Sequence, residues 1–149
     1  MYEGLDDITW RWLDSGVGTA EDVPRILRAL AGLEPNTLLD SADDLAAALR
    51  PDAHVYEATV LAVPFLLELA GHAGAERRTR LRVLELLESL ARCEDDFGEP
   101  EEELGRDPVL DLRRHRVAGA VRAGTASLQR IAQHDADLEI RHAAGEILG

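Results

Sequence analysis

Apolar residues recur along this chain at helical spacing, and one stretch is apolar nearly all the way round. Between His54 and His72 (HVYEATVLAVPFLLELAGH) only Glu57 and Glu68 are acidic, and no arginine interrupts. Val60, Leu61, Val63, Phe65, Leu66, Leu67 and Leu69 cover most of a helical circumference. A helix of that kind has to lie between other helices. Pro64 inside it removes one backbone hydrogen bond and is expected to bend or restart it, and Gly71 and Gly74 end it.

Upstream, Leu5, Ile8 and Trp12 predict a short helix over 5–13, stopped by Gly16-Val17-Gly18. Thr19 is placed to cap a helix over 21–31, with Asp22 at its third position and Val23, Ile26, Leu27 and Leu30 on one face. Gly32 closes it. Leu38, Leu39, Leu45, Ala48 and Leu49 predict a helix over 37–50, with Ser41 able to cap a second piece from 42 to 50. Pro51-Asp52 is the turn into the central helix.

Downstream, Leu81, Val83, Leu84, Leu86, Leu87 and Leu90 predict a helix over 76–92. Residues 93–107 (CEDDFGEPEEELGRD) follow, with seven acids among the ten positions 94–103, and read as an acidic surface loop. Asp107-Pro108 then opens a long helix reaching about residue 133, in which Gly119 and Gly124 weaken the middle or admit a close neighbour. A last helix is predicted over 137–148. No segment alternates with the period of a strand. The expected fold class is all-α, in a single domain spanning 1–149.

Composition narrows the chemistry. All 16 basic residues are arginine, which excludes a phosphate-binding P-loop, a Schiff-base enzyme and a Ser-x-x-Lys acylase, since each needs a lysine. The one cysteine, Cys93, cannot form an intrachain disulfide. No apolar run has the length of a membrane span and the first residues lack a secretory pattern, so a cytoplasmic protein is expected. The net charge is −13 but unevenly spread. Residues 1–60 carry 12 acids against 4 arginines, whereas residues 112–130 carry Arg113, Arg114, Arg116, Arg122 and Arg130 with no acid. Such a balance repels nucleic acid and anionic membrane and attracts basic partners.

Two segments share a pattern. Glu21-Asp22-Val23-Pro24-Arg25-Ile26-Leu27 lies over Leu61-Ala62-Val63-Pro64-Phe65-Leu66-Leu67, with Val-Pro in register 40 residues apart. The run from Asp135 to Gly149 adds Asp137, Arg141, the small pair Ala143-Ala144, and Leu148-Gly149. Together these resemble HEAT repeats: the Val-Pro helices look like second helices of a repeat and the terminal segment like a first helix. The stretch Val55-Tyr56-Glu57-Ala58-Thr59 leading into the central helix is also similar to a group of small bacterial HEAT-like proteins of mostly unassigned function. The resemblance implies a short right-handed α-solenoid of about three helix pairs, its concave face lined by second helices, and binding of other proteins. Residues 75–133 depart from the repeat in the acidic insert and the overlong helix.

The candidate chemistry is sparse. His54, Tyr56 and Glu57 gather a base, a phenol and an acid at the start of the central helix, where they could bind or protonate a small ligand. The plainer alternative is that Glu57 complements the helix dipole and Tyr56 packs on a neighbour. Arg113, Arg114 and Arg116 could hold a phosphate or carboxylate as a cluster, or simply offset the acidic insert. Trp10 and Trp12, two residues apart, point in different directions, one to the core and one to solvent. Trp10 is singled out as an interface residue because an exposed tryptophan beside Asp6, Asp7 and Asp14 would suit a basic partner. His134 and His142 lie about 12 Å apart along a helix, too far to share an ion, so no metal is expected, and no cofactor motif is present. Two functions stand open. The favoured one is a non-catalytic protein-binding module, an adaptor or an immunity-type neutraliser of a basic partner. The alternative is a small-molecule-binding or biosynthetic enzyme with its site near His54, Tyr56 and Glu57. Self-association through the terminal helix is a third possibility.

Overall fold

The computed structural model describes residues 2–32, 42–49, 56–93 and 108–149, with 108–111 by their backbone alone. His54 and all of the acidic insert except Cys93 lie outside the described residues, as does the first piece of the helix expected over 37–50. The fold is all-α apart from one very short hairpin. Its elements are two 3₁₀ turns (Leu5–Asp7 and Trp10–Trp12), β1 (Asp14–Ser15), β2 (Gly18–Thr19), α1 (Val23–Leu30), α2 (Ala42–Leu49), α3 (Glu57–Ala70), α4 (Arg77–Ala91), α5 (Pro108–Ala123), α6 (Thr125–His134) and α7 (Leu138–Leu148).

The central helix is α3, as its all-round apolar character requires. It touches α1, α2, α4, α5, α6 and β1, and Ala62, Val63, Leu66 and Leu69 are completely buried. The helix does not restart at Pro64: α3 runs through it from Glu57 to Ala70, with the proline on the exposed side. The start of α3 is held by Thr59, whose hydroxyl accepts from the Tyr56 N–H at 3.1 Å and donates to the Leu49 carbonyl, the last residue of α2.

The N-terminal segment differs from its expected helix. Two 3₁₀ turns stand there instead, because side chains claim the local carbonyls: the Trp10 indole N–H donates to Leu5 O at 2.9 Å. The Tyr2 hydroxyl reaches Leu27 O at 3.0 Å, and Tyr2 and Trp10 both set ring edges against Phe65 of α3, at 6.0 and 6.3 Å between centroids. Thr19 does not cap α1. It belongs to the antiparallel hairpin, paired with Asp14, and α1 starts after Asp22 with Pro24 in its first turn. Hairpin residue Gly16 donates its N–H to Ala48 O at 2.8 Å, which pins the hairpin to the end of α2. Gly32, at φ 78°, closes α1 in the left-handed region that favours glycine.

Contacts between helices fall into a regular order. Sequence neighbours α1 and α2, α3 and α4, and α6 and α7 pack together; α1 meets α3 and α3 meets α6, while α2 meets α4 and α4 meets α7. α5 packs on α3 and α4 and meets α6 end to end. The long helix expected from 108 to 133 is therefore two helices, broken at Gly124.

Gly124 explains the break. A β-carbon there would lie 2.2 Å from Leu67 Cδ1 of α3, so the backbone of the α5–α6 junction approaches α3 as closely as the absence of a side chain permits. Gly119, by contrast, has open space around its would-be β-carbon. Gly124→Val is expected to cost about 1–3 kcal/mol in denaturant unfolding through overpacking against Leu67. Combining it with Leu67→Ala should cost less than the sum of the two single changes, because the shorter side chain vacates the contested space.

Candidate functional site

The sequence-derived candidates do not converge on one place. Tyr56 is half-buried in an extended conformation at the N-cap of α3, its N–H engaged by Thr59. Glu57, in the first turn, is spoken for by Arg116 of α5, with Nη1 and Oε2 at 3.1 Å. The structure thus joins one member of the acidic candidate cluster to one member of the basic cluster. Both side chains remain partly exposed, 33% and 45%, so their pairing contributes at most about 1 kcal/mol.

The three candidate arginines occupy three environments. Arg116 serves Glu57, Arg113 is half-buried, and Arg114 turns into the core, where the Cys93 thiol donates to its carbonyl at 3.4 Å. Arg113 and Arg116, three residues apart, lie on one face of α5, whereas Arg114 is turned away from them and buried, so the three do not act as one cluster. The tryptophan pair needs a correction as well. Trp10 is only 4% exposed and belongs to the core beside Phe65; Trp12 is 74% exposed, with the Arg11 guanidinium 5.2 Å from its ring centroid. The exposed tryptophan is Trp12, not Trp10.

Two open grooves are prominent. One, of about 720 Å³, lies between the end of α1, the start of α2 and α4, and is crossed by Arg82, which meets Asp43 at 2.9 Å and Glu85 at 3.6 Å. The second, of about 750 Å³, runs between α3 and α6. Its α3 wall is Pro64, Leu67, Glu68 and Gly71 with His72 beyond; its α6 wall is Ser127, Arg130, Ile131 and His134, closed by Asp135. Neither groove includes Tyr56 or Glu57. Among the described residues no group of three or more His, Cys, Asp or Glu side chains could hold a metal ion, and no helix is long and apolar enough to cross a membrane.

The end of the second groove is fixed by a buried arginine. Arg80 of α4, with 8% of its side chain exposed, donates Nε to Ala70 O at the C-terminus of α3 at 2.9 Å and Nη2 to the carboxylate of Asp135, itself 13% exposed. Asp135 also accepts the Asp137 N–H at 3.0 Å. Asp137 caps α7, accepting from Glu139 N at 2.9 Å and Ile140 N at 3.3 Å, and its other oxygen takes Arg77 Nε at 2.5 Å. Burial alone would raise the Asp135 carboxyl, but the hydrogen bonds from Arg80 and Asp137 and the charge of Arg80 outweigh it and hold the group below the ordinary carboxylate value. Desolvation likewise opposes Asp137, and the Arg77 bond, the two backbone donors and the Arg77 charge lower it.

The residues of the α3–α6 groove carried a partial signal in the sequence. Ser127, Arg130, Ile131 and His134 are spaced as one helical face, and Pro64, Leu67, Glu68 and Gly71 as another. Nothing in the spacing tells which faces meet. No protein-family model matches the chain, and comparison with curated proteins and with solved structures finds no significant match.

Replacing Asp135 by Ala strands the buried Arg80 charge and is expected to cost about 3 kcal/mol in denaturant unfolding. The pH dependence has a definite sign. Asp135 and Asp137 both lie below 3.8 when folded, so near that pH the unfolded chain binds more protons and stability rises with pH. Their contribution is complete above the unfolded value and is lost as pH falls through the folded values. Urea midpoints should therefore fall more steeply below pH ~4 in the parent protein than in Asp135→Asn, which lacks one of these titrating groups.

Proposed function

We propose that this protein is a small, cytoplasmic HEAT-like module that works by binding another protein and carries out no catalysis. In this reading α2, α4 and α7 are the first helices of successive repeats and α1, α3 and α5–α6 the second helices, the last of them broken at Gly124. The contact order supports it, since α1, α3 and α6 form one row and α2, α4 and α7 the other, the two-layer arrangement of a helix-pair solenoid. About three pairs result, with α7 as a first helix in the position that its Asp-Arg pattern suggests.

The observation that carries the binding role is Trp12. A large aromatic side chain that is 74% exposed gains little from burial in the monomer, and tryptophan is among the residues enriched at the energetic centres of protein interfaces. Val17 of the hairpin turn is exposed as well, and exposed Asp7, Asp14 and Glu21 on the same segment form no ion pair with any described residue. The hairpin is pinned through Gly16 to Ala48, so the surface is presented on a fixed support. An aromatic anchor with unpaired carboxylates on the same segment complements a basic partner, and an acidic module of this kind fits an adaptor or an immunity-type neutraliser. The rival placement of a small-molecule enzyme site at Tyr56 and Glu57 loses ground to the Arg116 pairing and the Thr59 clip.

Affinity capture from lysate at low and high salt, followed by identification of the retained protein and titration with it, tests the proposal. A basic protein held at low salt and released at high salt is expected. Trp12→Ala should weaken the purified interaction by about 2 kcal/mol or more without altering the circular dichroism or unfolding midpoint. Asp7→Asn with Asp14→Asn should chiefly slow association. Retention of no protein at low salt, or a partner indifferent to Trp12→Ala, would count decisively against this surface.

A further inference from the structure

The α3–α6 groove sets one arginine and two histidines beside two carboxylates that already hold partners. Its two acids are already satisfied: Glu68 accepts the Tyr2 N–H at 2.6 Å, and Asp135 is held by Arg80 and by the Asp137 N–H. His72 is engaged too, its Nε2 lying 2.9 Å from Ala31 O. Arg130 and His134, one turn apart on α6, are exposed, and their side chains form no hydrogen bond or ion pair among the described residues. Between them and α3 the groove is apolar, formed by Leu67, Pro64 and Ile131. The side chains of the groove that no described residue engages, Ser127, Arg130 and His134, can all donate a hydrogen bond, and Arg130 adds a positive charge, in a chain of net charge −13. Its volume of about 750 Å³ falls within the range that small-molecule sites occupy.

From this juxtaposition we infer that the α3–α6 groove is a binding site for a small organic carboxylate, an apolar body bearing a single negative charge. The carboxylate takes the planar guanidinium of Arg130 in the two-point geometry that arginine offers, with the His134 imidazole as a second donor. The apolar body lies along Leu67, Pro64 and Ile131. A phosphate monoester, with nearly two charges at neutral pH, suffers more from the neighbouring Glu68 and Asp135 carboxylates, so the groove selects a monoanion. This site is independent of the protein-binding surface at Trp12 and stands or falls without it.

The probe is 4-phenylbutyrate, titrated into the full chain by calorimetry and by amide chemical-shift mapping, with 4-phenylbutanol and phenyl phosphate as comparisons. Saturable one-site binding is expected, with shifts concentrated at residues 64–72 and 127–135. The alcohol and the phosphate should each bind more weakly than the carboxylate. Arg130→Gln should weaken carboxylate binding about tenfold, Arg130→Lys less, and His134→Gln should give a smaller loss. Trp12→Ala should leave the probe's affinity unchanged. Equal affinity for the alcohol, tighter binding of the phosphate, unaltered affinity in folded Arg130→Gln, or no saturable binding at millimolar probe would each overturn the assignment.

Discussion

Arg80 fastens the architecture at the point where three elements meet. Its guanidinium satisfies a carbonyl at the end of α3, emerges from α4, and neutralises Asp135 in the turn between α6 and α7. A helix C-terminus, with its carbonyls lacking intrahelical donors, is stabilised by a cation, and Arg80 supplies one from a different helix. Removing this charge from water is costly, and two acceptors of fixed geometry make the cost bearable. Arg77 repeats the arrangement one turn earlier by holding Asp137 and Glu139 at the start of α7. The terminal helix is thus joined to the rest by charge-assisted bonds as well as by Ile140 and Ala144 in the core.

Much of the helical architecture was legible in the sequence because it rests on periodicity. The 76–92 helix and the terminal helix stand within one residue of their expected limits and the central helix within three, since each has an apolar pattern long enough to outweigh local accidents. What failed was local chemistry that depends on distant partners. The 5–13 segment has helical spacing, yet Trp10 and Tyr2 direct their polar atoms to carbonyls and their rings to Phe65, and a regular helix is lost. Pro64 does not restart α3, while Gly124, read as weakening its helix or admitting a close neighbour, marks the α5–α6 break where Leu67 approaches.

The candidate sites were less legible for a related reason. Sequence neighbours such as Arg113 and Arg114 share a charge but diverge around their helix, whereas Glu57 and Arg116, 59 residues apart, meet. Arg130 and His134 became notable only once the bonds held by Glu68, His72 and Asp135 were known. Availability, more than identity, distinguishes a binding group from a structural one, and availability is a property of the folded chain.

Leu67 links two demands that a protein usually keeps apart. The side chain fills the space left by Gly124 and so sets how closely α6 can approach α3; the same side chain lines the groove between those helices. Variation at this position cannot reshape the groove without also altering the seat of the helix junction. A shorter residue would deepen the groove and leave a void beneath the backbone at residue 124, and a bulkier one would force the helices apart. The shape of the groove is thereby inherited together with the stability of the fold, and selection acting on either one constrains the other.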